Sequence, residues 1–297
     1  MVEETNQLLG YTIDTLLKAF NPDRTPIMNR FHFFKLMNLL DHRLQNQGVN
    51  INLPGYWYKY GFYSEYRFFD SVLTYPFSKY YVTGDNVYPP IVRTGYEEKV
   101  SKKDTGIILT TIRYLYEKYG GKEGYGDSAK EESYFLYSPY KFNTIFQSYL
   151  FITDVKTSRV SESLKNEITT KLDELLPDFP VNSFPELASI YFEWDDTTRL
   201  VLDCAPENKR LELIIDLREE FWEIYSKRVR IKHNQHIPES VIREWKSKFN
   251  TELDQASETI EDIRGKILSD FYTPSEEKKE IAKKLMTDIY NIPSEGA

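Results

Sequence analysis

Only two of the chain's thirteen glycines, Gly265 and Gly296, fall in residues 155–297, and the other eleven fall in residues 1–154. Glycine is the residue that most readily supplies left-handed backbone at turns and helix ends. A stretch nearly without it therefore folds most simply into long helices broken by proline. Helical segments are predicted over 161–176, 185–204, 207–232, 238–271 and 274–290, with prolines at or near most of the breaks. Leu211, Ile214, Ile215, Leu217, Phe221, Trp222 and Tyr225 form a stripe that needs partner helices to cover it. Ile242, Trp245, Phe249, Leu253, Ile260, Ile263 and Ile267 run near heptad spacing, a pattern suited to packing within the chain or against a second copy.

Tyrosine and charge change at the same place. Residues 1–154 hold 19 of the 23 Tyr, and their 17 acidic groups balance 17 basic ones, so the net charge of −8 belongs to residues 155–297. These coincident shifts predict two domains, 1–154 and 155–297. The expected fold class is mainly α, with an α+β N-terminal domain carrying a small sheet or extended segments and an all-helical C-terminal domain. In the first, Thr25-Pro26 signals a helix start before the stripe Phe33, Leu36, Met37, Leu40 and Leu44. A second helix is expected from Asp104 or Thr105, with Ile108, Ile112, Leu115 and Tyr119 on one face, stopping at Gly120-Gly121. Breaks at Pro54-Gly55, Pro76, Gly84 and Pro89-Pro90 mark short extended or turn segments.

Composition also sets limits. Apolar residues make up 40% of the chain, enough for a packed core. The single cysteine, Cys204, excludes an internal disulfide and a cysteine-based zinc site. The N-terminus lacks signal-peptide character and no apolar run reaches membrane-spanning length, which predicts a cytoplasmic protein that does not enter membranes. An acidic chain does not coat nucleic acid through bulk charge, so any such contact is local.

The densest aromatic segment is GYWYKYGFYSEYRFF at 55–69, with nine rings in fifteen residues. One reading packs Tyr58, Phe62, Tyr66 and Phe69 inward. The other presents Trp57, Tyr58, Lys59, Tyr60 and Arg67 as anchors for a partner protein.

Around this segment run the helix FHFFKLMNLL at 31–40, then YGFYS at 60–64, IRYLYEKYG at 112–120 and SPYKF at 138–142. The order resembles the Panacea or SocA-like antitoxin-type domain over residues 25–152. Lys35-Leu36, Tyr60-Gly61, Tyr119-Gly120 and Pro139-Tyr140 stand at the positions of its motifs. Phe62 replaces the family's proline, Tyr140 replaces its tryptophan, and the Thr-His before the late Pro-Trp is absent. The resemblance implies a prokaryotic, non-enzymatic interaction subunit of a defence or toxin–antitoxin system, whose partner is a toxin, an effector or a nuclease subunit.

The basic run KRVRIKHNQH at 227–236 suggests other chemistry. Arg228-x4-His233 and the overlapping Arg230-x5-His236 fit the spacing of HEPN-like, metal-independent ribonucleases, in which a histidine moves a proton and an arginine holds the scissile phosphate. Lys227, Arg228, Arg230 and Lys232 also form a local patch for nucleic acid. That patch suits an accessory subunit that helps an Argonaute-like or other nuclease partner hold its strand. Cations near a helix C-terminus equally complement the macrodipole with no ligand at all. His233, His236 and Glu239 are too few for a metal site, and Glu193, Asp195 and Asp196 read as a solvated face. Neither a metal nor a cofactor is expected, and the glycine-rich 120–126 reads as a loop.

Overall fold

A computed structural model describes residues 2–23, 28–80, 85–120, 125–154 and 159–272, together with 280, 281 and 284. The Thr25-Pro26 helix start, most of the 120–126 loop and nearly all of the expected 274–290 helix lie outside the described residues.

The chain is mainly helical, as expected. It opens with α1 (Val2–Phe20), buried along Leu9, Ile13, Leu16, Leu17 and Phe20. Helix α2 (Arg30–Gln45) starts where the Asn29 side chain accepts the His32 amide at 2.9 Å. It buries the predicted stripe of Phe33, Leu36, Met37, Leu40 and Leu44. Strands β1 (Gly55–Tyr58) and β2 (Gly61–Tyr63) form a hairpin, followed by α3 (Tyr66–Asp70) and two short 3₁₀ turns. Helix α4 (Lys102–Tyr119) begins at the cap Ser101, whose hydroxyl accepts the Asp104 amide, and ends before Gly120. Then come α5 (Tyr125–Tyr137), α6 (Lys141–Thr153), α7 (Glu162–Leu175), α8 (Ala188–Cys204), α9 (Glu207–Lys232), β3 (Asn234–Gln235) and α10 (Glu239–Asp270). The heptad-like face of α10 is covered from within the chain, by α8 and α9.

Strand β3 corrects the expectation of an all-helical C-terminal part. It pairs antiparallel with β1, setting Gln235 against Gly55 and Asn234 against Tyr56, so the sheet order is β2-β1-β3. The Trp57 amide also donates to the His233 carbonyl at 2.9 Å. A sheet that opens at residue 55 is thus completed at residue 235.

The core crosses residue 154 as well. Phe146 on α6 stacks on Trp222 at 4.2 Å, and Phe142 lies 5.0 Å from Tyr225, whose hydroxyl donates to Asn143 Oδ1 at 2.6 Å. The buried Arg218 guanidinium donates to Thr153 Oγ1 at 2.6 Å and to Asp154 Oδ1 at 2.7 Å. Aromatic area of this size dominates core energetics. The change of composition at 154 is therefore a change along the chain, and the packing is continuous through it.

Candidate functional site: the hairpin turn and the faces of β1

Alternation along β1 sends successive side chains to opposite sides. Trp57 points to α5, where its ring meets Tyr134 edge-on at 5.6 Å, and it is only 7% exposed. Tyr56 and Tyr58 point the other way. Tyr56 meets the Trp245 ring of α10 at 5.0 Å, and the Tyr58 hydroxyl donates to Glu223 Oε1 of α9 at 2.6 Å. The strand is consequently held on both faces.

The two-residue turn Lys59-Tyr60 between β1 and β2 is held more firmly still. From α2, the Lys35 amine donates to the carbonyl oxygens of Tyr60 and Phe62, the latter at 2.8 Å. From α5, the Tyr134 hydroxyl donates to the Lys59 carbonyl at 2.6 Å, and from α6 the Gln147 amide donates to the same oxygen at 3.1 Å. Gly61 has φ of +89°, where a Cβ would lie 2.8 Å from the Tyr134 ring, so only glycine fits without displacement. Gly55 likewise makes room for the Phe62 ring, which occupies the place a Cβ would take.

Lys35 is fully buried, and burial, reinforced by the positive charge of Lys130, pulls its amine down to about 7. A neutral amine has two N–H bonds, matched here by two carbonyl acceptors. The Phe31 ring lies 4.8 Å from the amine. At the turn's flank, burial opposes the charge of Lys59, but Glu223 at 2.6 Å and Glu219 at 3.4 Å outweigh it and raise its amine.

One ring stands clear of this scaffold. Tyr60 is 55% exposed, with the Lys130 amine over its face, 5.8 Å from the ring centre. Two of the three helices that grip the turn, α5 and α6, each carry an exposed phenylalanine near the gripping residue. Phe135 follows Tyr134 and is 78% exposed, and Phe151 lies one turn after Gln147 and is 79% exposed.

The expected anchors thus divide. Trp57 is core, Tyr58 and Lys59 are half-buried and tied to α9, and Tyr60 and Arg67 are exposed, Arg67 paired with Glu65 at 2.8 Å. Tyr66 corrects the inward reading, because it is 52% exposed, whereas Phe62 and Phe69 are buried.

The basic run is not a free patch. Lys227 pairs with Glu223 at 3.3 Å and Glu252 at 3.4 Å, Arg228 pairs with Glu186 beneath the Phe184 ring, and Lys232 also lies over Phe184. Arg230 sits between Tyr58 and Trp245. His233 follows the last turn of α9, its Nε2 2.8 Å from the Tyr140 hydroxyl, and burial with Lys232 and Arg228 nearby lowers it to about 4. Arg228 and His233 approach the same surface, Phe184 and Tyr140, yet each is engaged within the chain. His236 is exposed with φ of +54°. Among the described residues, no group of His, Cys, Asp and Glu is arranged to hold a metal ion, and no helix is long and apolar enough to cross a membrane.

Residues that sequence reasoning did not single out, Tyr134 and Gln147, complete the grip on the turn. Lys35 stood out only as part of a motif, and its acceptors lie 25 and 27 residues along the chain. Comparison with family models, with curated proteins and with solved structures found no match.

Proposed function

We propose that the chain is a non-enzymatic interaction subunit that docks a partner protein through the turn at Tyr60. One observation carries this reading: an exposed tyrosine on a turn whose backbone is fixed by four hydrogen bonds from three helices. A ring presented this way loses little freedom on binding, which is what makes aromatic anchors effective. The contact between Lys35 and Tyr60 joins two of the four motifs that resemble the Panacea or SocA-like domain, and that resemblance supports a role in a prokaryotic defence or toxin–antitoxin system, with a toxin, effector or nuclease subunit as partner. The internal pairing of Lys227, Arg228 and His233 favours this reading over a ribonuclease.

The test is to co-express the chain with each of its genomic neighbours, carrying a photo-crosslinking amino acid at position 60 or, as a control, at the exposed Thr170 of α7. The expected result is a crosslink to one neighbour from position 60 only, and loss of the complex in Tyr60→Ala. Equal crosslinking from both positions, or an unchanged complex with Tyr60→Ala, refutes the assignment.

A further inference from the structure

The amines around the Tyr60 turn are not equally matched. That of Lys59 is taken by Glu223 at 2.6 Å and Glu219 at 3.4 Å. That of Lys35 lies beneath the turn, on the carbonyl oxygens of Tyr60 and Phe62. The Lys130 amine lies over the exposed Tyr60 ring, 5.8 Å from its centre, and among the described residues it pairs with no carboxylate. Lys130 and Lys35 are also close enough for the charge of the first to act on the second.

This arrangement constrains what can cover the ring. A group that packs on the Tyr60 face also takes Lys130 out of water, and an ammonium buried without a counter-charge opposes binding. A carboxylate beside the packing group removes that penalty, and opposite potentials across the contact add specificity. A nucleic-acid strand fits less well, because its charges recur along its length and the turn offers one unmatched surface amine.

Resting on docking at Tyr60 as proposed above, we infer that the partner brings an acidic residue to Lys130, with its carboxylate on the amine while an apolar or aromatic group covers the Tyr60 ring. The contact is proton-linked. The titratable groups near the Lys35 amine are Tyr60 on the turn and Lys130 and Tyr134 on α5. A carboxylate at Lys130 offsets the repulsion that Lys130 exerts on Lys35, and so favours the protonated form of Lys35.

The experiment uses full-length chain carrying 3-fluorotyrosine at position 60 and lysine labelled with ¹³C at Cε. The probes are N-acetyl-Glu-Gly-Phe-Gly-Glu-amide, its counterparts with Gln or Lys in place of both Glu, and a ten-residue thymidine oligonucleotide, all at constant ionic strength. The Glu peptide is expected to shift the fluorine resonance saturably, with half-saturation at about 1–10 mM, and the Gln peptide to need roughly five-fold more. Lys130→Gln is expected to bring the Glu peptide to the level of the Gln peptide, and Lys130→Arg to keep the difference. The lysine resonance that titrates at about 7, that of Lys35, is expected to move its midpoint upward with the Glu peptide and not with the Gln peptide. Equal binding of the Glu and Gln peptides at position 60 keeps docking there and overturns the acidic partner, as does tighter binding of the Lys peptide or an unchanged affinity in Lys130→Gln. An unmoved Lys35 midpoint overturns the proton linkage. No response at position 60 to any peptide overturns the acidic contact, while docking at Tyr60 stands or falls with the crosslink. Tighter binding of the oligonucleotide overturns the protein source.

Discussion

The buried amine of Lys35 holds the carbonyl oxygen of the exposed Tyr60, so a core residue of α2 fixes the backbone beneath the most solvent-facing ring of the hairpin. Stability and presentation are therefore separable among the rings of residues 55–69. Tyr60→Ala removes an exposed ring and is expected to leave the melting temperature within about 2 °C of wild type. Trp57→Ala empties a core position and is expected to lose roughly 3–5 kcal/mol. Thermal melts of both variants decide this. Equal losses would place Tyr60 in the core with Trp57.

Lys35 also makes stability depend on pH. In the unfolded chain its amine titrates near 10.4, and in the folded chain it falls to about 7. Between those values the unfolded state binds more protons, so raising the pH favours the folded state. Folding stability is expected to rise from pH 7 to pH 9 relative to a Lys35→Gln variant, in which the group cannot titrate. Urea unfolding of both proteins across that range measures the difference, and a flat difference would contradict the assigned shift.

Gly61 is the point where the grip is tightest. Its φ of +89° is one that residues with a Cβ rarely adopt, and the Tyr134 ring and the Lys35 amine occupy the space a methyl group would need. Gly61→Ala is expected to cost about 1–3 kcal/mol through backbone strain and displacement of Tyr134. A chemical melt reads the cost, and a loss within error would mean the turn relaxes freely.

How much of this was legible depends on the range of the signal. The stripes of α2 and α4, and the helices of the glycine-poor half up to residue 271, rest on periodicities within a few residues, and they stand in the structure where the sequence placed them. Strand β3 has two residues in the polar run KHNQH and no alternation, so nothing local marks it as a strand. Its partner is β1, some 180 residues earlier, and only the assembled packing of α9 against β1 brings them together. The grip on Tyr60 was hidden for the same reason, because Lys35, Tyr134 and Gln147 come from three helices. The split of the aromatic rings into core and surface follows from the pleat of β1, whose register no property of residues 55–69 alone fixes.

His233 is half-buried against Tyr140. His233→Ala is expected to lower stability by ~1–2 kcal/mol through the lost hydrogen bond and packing. Wild-type protein is expected to cut no RNA. RNA cleavage that disappears in His233→Ala while the melting temperature stays unchanged would restore the ribonuclease reading.

The last expectation concerns cooperativity. The third strand of the sheet comes from residues 234–235, Lys59 and Tyr58 bond to Glu223, and α6 shares its aromatic core with α8 and α9. A fragment of residues 1–154 would expose the apolar faces of Phe142 and Phe146 and would lose the edge of β1 that β3 covers, leaving strand donors and acceptors unpaired. The full chain is therefore expected to unfold in one transition, with tryptophan fluorescence and far-ultraviolet circular dichroism giving the same midpoint. Fragment 1–154 expressed alone is expected to aggregate or to lack a cooperative melt. Two separated transitions, with the fragment reproducing one of them, would show that the compositional break at 154 is also a boundary of folding.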